Sequence, residues 1–206
     1  MTYKPETVKQ EDLIKRKDSL YYVKDAQVPF TGTSEELFEN GQLRRRRNYK
    51  NGEYGLMEGF YDDGRLEERA IYKDGYAHGI LELYDFDRRK KSNSKRLESI
   101  WNFKNGERHG PSEEFYPEGD QIIFSRSTYQ DGKRIEERTF HRNGLLKSKT
   151  IGEYPNYTQE SYDENGKFTS KFMVKDGKYF YFKGTWKDKF RLWLWSLKHV
   201  IVTTNL

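Results

Sequence analysis

Histidine and paired carboxylates are the side chains of this chain best suited to chemistry, so the reading starts from their spacing. His78 and His109 each precede a glycine, in "YKDGYAHG" and "FKNGERHG", while His141 and His199 stand alone. A neutral imidazole could serve as a base or a metal ligand. None of the four has a second histidine at a metal-binding spacing. The same His-Gly pair in the same context fits a repeated structural position, a residue packed beside a strand glycine. Glu67–Glu68 and Glu136–Glu137 could form acid/base pairs, but on strands neighbouring residues point to opposite faces. There is no cysteine, which excludes disulfides, zinc thiolates and thiol nucleophiles. No glycine-rich loop opens a helix to hold a phosphate, because these glycines close hairpins. The expectation is a protein with no catalytic residue, no cofactor, no metal and no small-molecule substrate.

Basic residues offer the other chemistry. Arg44–Arg47 is a run of four, but on a strand Arg44 and Arg46 face one way and Arg45 and Arg47 the other. Cross-strand acids such as Glu58 or Glu67–Glu68 could neutralise them, which argues against nucleic acid as the partner. The polar tract "DFDRRKKSNSKR", Asp85–Arg96, gathers Arg88, Arg89, Lys90, Lys91, Lys95 and Arg96 in what reads as a long loop. These are candidate contacts to a protein partner or an anionic lipid surface. Trp193 and Trp195, in the apolar C-terminal stretch, are candidates of the same kind. The net charge of +5 is mild and admits such partners without requiring them.

Stepping along the chain shows what would position these residues. Turn-like tripeptides end in Gly41, Gly52, Gly64 and Gly75, at intervals of 11, 12 and 11. Further turns end in Gly106, Pro117–Gly119, Gly132, Gly144, Gly166 and Gly177, and "GEYPNY", Gly152–Tyr157, fills the one missing beat. A fixed period marks a repeat protein. Asn-Gly and Asp-Gly predict type I′ hairpin turns, with positive φ at both central residues. Segments of about eight residues lie between them and alternate charged with apolar or aromatic residues. An aromatic stands two residues before the central residue of the turn at Phe38, Tyr49, Tyr61, Tyr72, Phe103, Tyr116 and Tyr129. An apolar residue stands two after the turn glycine at Leu43, Leu66, Leu146 and Phe168. The hydrophobic fraction is only 33% against 34% charged, a balance that leans to disorder unless the sheet is a single layer faced with rings, and aromatics do reach 16%.

With these residues in view, "YKNG" through Gly55, "YKDGYAHG" at Tyr72–Gly79 and "FKNGERHG" at Phe103–Gly110 resemble MORN repeats. The alternating "FYDDGRL" form is similar to the bacterial MORN variant, and "VPFTG", Val28–Gly32, resembles the first strand of many bacterial members. The resemblance covers about Asp12 to Gly184. It implies one hairpin per repeat, an elongated, twisted, open sheet, no shared catalytic residue, and an antitoxin-like role for many relatives.

The expected fold is therefore all-β, an elongated open sheet of repeated hairpins. Residues 1–27 form a lead-in, 28–184 the hairpin array with a loop insertion near 85–96, and 185–206 an amphipathic cap. Trp186, Phe190, Trp193, Leu194, Leu197, Val200 and Ile201 follow helical spacing in that last segment, although "FRLWLW" also alternates as a strand would. Its expected task is to shield the last open edge. The expected function is non-catalytic protein binding or scaffolding, with inhibition of a partner as one form. The alternative is a peripheral protein on anionic lipid, held by the basic loop and the C-terminal segment. No signal-like core or membrane-length apolar run is present, so a cytoplasmic location is expected.

Overall fold

The computed structural model describes residues 6–85, 96–117, 121–153 and 155–183. The expected cap at 185–206 and most of the loop near 85–96 lie outside the described residues. The chain divides into two compact units, Met1–Arg108 and His109–Leu206.

In the first unit the strands are β1 (Glu6–Lys9), β2 (Leu13–Lys15), β3 (Tyr21–Val23), β4 (Gly32–Leu37), β5 (Leu43–Lys50), β6 (Glu53–Phe60), β7 (Leu66–Lys73), β8 (Tyr76–Asp85), β9 (Arg96–Lys104) and β10 (Glu107–Arg108). Their sheet runs β1-β4-β5-β6-β7-β8-β9, with β10 folding back on β9 and β2–β3 forming a separate hairpin. The second unit holds β11 (Gly110–Phe115), β12 (Ile123–Gln130), β13 (Lys133–Phe140), β14 (Leu146–Glu153), β15 (Asn156–Tyr162), β16 (Phe168–Lys175) and β17 (Lys178–Lys183), paired in that order. The fold is all-β, a repeated-hairpin sheet, as the turn spacing predicts. No α-helix occurs among the described residues.

The turns correct one expectation: only every second one is type I′. Asn51, Asp74, Asn105, Asp131 and Asp176 have positive φ together with the glycines that follow them. Asn40, Asp63, Asn143 and Asn165 do not, although Gly41, Gly64, Gly144 and Gly166 do. There the Phe38 N–H donates to Gln42 O at 2.8 Å and the Gly41 N–H donates back to Phe38 O at 2.9 Å, and His141–Leu145 repeats the pattern at 2.8 and 2.9 Å. This is the three-residue loop in which a type I turn is closed by a left-handed glycine. A meander sends successive turns to opposite margins of its sheet. Type I′ turns accordingly gather on one margin and three-residue loops on the other. Leu or Phe stands two after the glycine in the three-residue loops (Leu43, Leu66, Leu146, Phe168), whereas Tyr54, Ala77, Arg108, Arg134 and Tyr179 stand there in the type I′ turns.

Side chains staple each turn to the next turn on its own margin. On the three-residue margin Asn40 Nδ2 donates to Asp62 O at 2.9 Å and Asn143 Nδ2 to Glu164 O at 2.7 Å. Tyr61 and Tyr116 hydroxyls donate to the carbonyls of Tyr84 and Phe140 at 2.9 and 2.7 Å. On the type I′ margin Thr31 Oγ1 accepts from the Asn51 N–H at 2.9 Å, and Asn156 Oδ1 accepts from the Asp176 N–H at 2.8 Å. Turn backbone groups that strand pairing leaves open thus find partners.

The N-terminal residues do more than lead in. Strand β1 pairs in parallel with β4, Glu6 opposite Gly32 and Lys9 opposite Glu35, and covers an edge that would otherwise be open. Leu13, Phe30 and Tyr49 are buried together, with Val8, Tyr21, Val23 and Tyr54 packed against them. Tyr49 rings meet Tyr21 and Tyr54 at 5.3 and 5.8 Å, and Tyr54 meets Tyr72 at 5.0 Å. Each fully buried side chain of this size contributes about 1.5–3 kcal/mol. Ser34, 1% exposed, donates to Gln10 Oε1 at 2.7 Å, and that oxygen also accepts from Arg47 and Tyr49 at 2.7 and 3.1 Å.

Candidate interaction surface

Register assembles the charged residues into rows that cross the strands. In the first unit Glu35, Arg46, Glu58, Arg69 and Glu82 are successive partners from β4 to β8. Signs alternate without a break. Arg46 meets Glu35 at 2.9 Å, and Arg69 meets Glu58 at 2.9 Å and Glu82 at 4.0 Å. The opposite face carries Glu36, Arg45, Gly59 and Glu68 in one row. Arg45 lies 3.8 Å from both Glu36 and Glu68, reaching the second across Gly59, where a Cβ would come within 2.7 Å of the Glu68 side chain. Arg44, Arg45 and Arg46 are therefore neutralised, by Glu35 and Glu36 as well as by the expected Glu68, while Arg47 donates to Gln10. Arg44 departs from simple alternation: a register shift beyond Glu36 brings it to that residue at 3.0 Å.

The row at the same repeat position in the second unit is Glu113, Arg126, Arg138, Lys149, Glu160 and Lys171, from β11 to β16. Glu82 and Glu113 each stand three residues after the glycine of a His-Gly pair, which fixes the equivalence. Here three cations are neighbours. Arg126 pairs with Glu113 at 2.7 Å and Lys171 with Glu160 at 3.3 Å, while Arg138 and Lys149 share Glu136, one row away, at 2.5 and 3.9 Å. Alongside runs a second row, Glu136, Ile151, Thr158, Met173 and Phe180. Ile151 is 46% exposed. The other face of these strands carries hydroxyls, Ser125, Thr139, Ser148, Ser161 and Ser170 in one row, with Thr139 and Ser148 2.7 Å apart.

Three histidines contact the turns and backbone around them, and His199 lies outside the described residues. His78 Nδ1 lies 3.3 Å from Asn105 Oδ1, and His109 Nδ1 lies 3.4 Å from the Asp131 N–H, so each touches the next type I′ turn as Thr31 and Asn156 do. His141 Nε2 lies 3.0 Å from Tyr162 O. Glu136 and Glu137 separate as alternation requires, Glu136 to Arg138 and Glu137 to Arg134 at 2.6 Å. Among the described residues no group of three or more His, Asp or Glu could hold a metal ion, and no helix is long and apolar enough to cross a membrane.

Arg96 opens β9 opposite Asp85 and pairs with its carboxylate. Arg88, Arg89, Lys90, Lys91, Lys95, Trp193 and Trp195 lie outside the described residues. The cation row of the second unit was not singled out by sequence reasoning. Its members are ten or more residues apart in the chain, and only the register of four strand pairs brings them together.

Residues 30–51 match the family described as MORN repeat variant. The matched stretch runs from the buried Phe30 through β4, the first three-residue loop and β5 to Asn51. MORN repeats are a non-enzymatic repeat type generally associated with protein or membrane binding. No curated protein matches the chain significantly.

Proposed function

We propose that this chain is a non-catalytic module that binds a partner protein through its sheet faces, and that inhibition of that partner, in the manner of an antitoxin, is the form its action takes. The observation that carries the reading is the exposure of large side chains on a rigid hydrogen-bonded frame. Ile71, Ile80, Tyr76, Ile151, Tyr179 and Tyr181 are all exposed. Tyrosine, and arginine as in the Arg108 guanidinium stacked 4.0 Å from the Trp101 ring, are the residue types enriched at binding hot spots. Their backbone cannot collapse onto them, because every described strand of the array is held by its neighbours. Such preorganisation lowers the entropy cost of association.

The test is capture from the native host on the immobilised full chain, read by mass spectrometry, beside flotation with phosphatidylserine vesicles. A protein retained in stoichiometric amount, without vesicle binding at physiological salt, supports the reading. Salt-sensitive vesicle binding with no retained protein replaces it by the anionic-lipid alternative.

A further inference from the structure

We propose that the cation row of the second unit is a docking surface for an acidic, apolar-edged segment of a partner protein. The inference rests on the protein-binding reading and names where and with what chemistry the partner is held.

In the first unit the row Glu35, Arg46, Glu58, Arg69, Glu82 alternates perfectly, the arrangement that folding alone favours, since opposite charges on neighbouring strands stabilise and like charges destabilise. The equivalent row of the second unit breaks the rule at one residue. Arg138 stands between Arg126 and Lys149, where a carboxylate would restore the sequence Glu, Arg, Glu, Lys, Glu, Lys. Local departures from consistency concentrate at functional positions, and the pair of Arg138 with Glu136 at 2.5 Å leaves its repulsion from Arg126 and Lys149 across the strands in place. Arg138 and Lys149 share Glu136, and Lys149 also stands opposite Glu160, which pairs with Lys171. Arg126, Arg138 and Lys149 thus set three cations side by side over about 10 Å, two inter-strand steps. Beside the row, on the same face, Ile151 and Met173 offer aliphatic side chains on either side of Thr158. Carboxylates over Arg126, Arg138 and Lys149 with aliphatic groups over Ile151 and Met173 complete both rows at once. A hydroxyl-lined face lies behind the same strands, so this chemistry belongs to one side only.

The substitution Arg138→Glu separates this role from folding, because it creates the alternating row. Full-length wild type, Arg138→Glu, Lys149→Gln and Lys73→Glu are compared for binding a fluorescein-labelled peptide of Glu and Leu in equal parts, with a Gln and Leu peptide as control. Lys73→Glu makes the same charge change on the first unit. The expected result is binding of the acidic peptide that weakens with salt, a loss of about tenfold or more in Arg138→Glu and a smaller loss in Lys149→Gln. Lys73→Glu should change it little, and the melting temperature of Arg138→Glu should stay at that of wild type, because the attraction it gains to Arg126 and Lys149 offsets the Glu136 pair it loses. Equal binding by wild type and Arg138→Glu overturns the proposal, as does a melting temperature that falls with the affinity. Arg138-dependent binding to phosphatidylserine vesicles, or Arg138-dependent self-association, without peptide binding overturns it in favour of a membrane or a second copy. In the capture experiment, a partner retained equally by wild type and Arg138→Glu overturns this face and leaves protein binding standing. Retention of no protein by either overturns the protein-binding reading itself.

Discussion

Single residues in this sheet are constrained by their contacts more than by their type. Gly52 and Gly144 both sit at φ +81, yet a Cβ on Gly52 would come within 2.7 Å of Leu20 and 3.0 Å of Pro29, while one on Gly144 meets nothing within 4 Å. Left-handed strain alone costs about 1 kcal/mol or a little more. Gly144→Ala should therefore destabilise by about 1 kcal/mol, and Gly52→Ala by about 2–4 kcal/mol because overpacking adds to strain. Urea unfolding of the two variants checks the order. Tyr84 and Tyr162 show the same dependence in their protons. Loss of solvent, then the hydrogen bonds that their hydroxyls donate to Glu82 and Glu160 at 2.7 and 2.8 Å, raise each phenol from 10.0 to about 12. A pKa raised by folding means that the protonated phenol favours the folded state. That contribution is complete below pH 10.0 and is lost as pH rises toward about 12. Stability should fall through this alkaline window, and Tyr84→Phe together with Tyr162→Phe should flatten the fall. Tyrosinate absorbance against pH, as the difference between wild type and the double variant, reads these two phenols among the 16 tyrosines.

At the scale of the element, the N-terminal segment shows how the sheet manages a free edge. Strand β1 supplies backbone partners to β4, and the 3-10 turn Gln10–Asp12 sets Gln10 over Ser34, Arg47 and Tyr49. Removing that side chain leaves a buried hydroxyl and a guanidinium short of an acceptor. Gln10→Ala should destabilise the protein by about 1–3 kcal/mol, measured by urea unfolding, and should speed amide exchange in β4 before it affects β7. No slowing of the ladder's recovery elsewhere is expected, since repeat elements couple chiefly to their neighbours. Unchanged unfolding in Gln10→Ala would show that this acceptor is dispensable.

For the whole chain, the division into Met1–Arg108 and His109–Leu206 places the Leu13, Phe30 and Tyr49 cluster entirely in the first unit. Repeat sheets gain stability from intrinsic and nearest-neighbour terms, so a unit with its own buried cluster should stand alone. Residues 1–108 expressed by themselves should give a sheet-dominated circular dichroism spectrum and one cooperative thermal transition. A non-cooperative melt would show instead that the cluster needs the remaining strands.

The amino-acid sequence by itself determined the all-β class, the strands of about eight residues between the glycine turns, the positions of those turns and the separation of Glu136 from Glu137, but not the strands β1, β2 and β3 of the lead-in. What it did determine depends on alternation and turn chemistry within about a dozen residues. It also held, in Leu43, Leu66, Leu146 and Phe168, the mark that distinguishes the three-residue loops, although turn glycines alone made all turns look alike. Tertiary structure decided the rest. Which turn lies on which margin follows from the meander. Which charges become neighbours follows from register, and register is shifted by bulges such as those at Glu36/Leu37 and Thr139/Phe140. A single shifted residue moves every later side chain relative to its partners. The alternating row of the first unit and the broken row of the second are sums of several such pairings, and so is the seat of Gln10 against Arg47, 37 residues away. Local pattern fixes where strands begin and end, and only their pairing fixes which side chains meet.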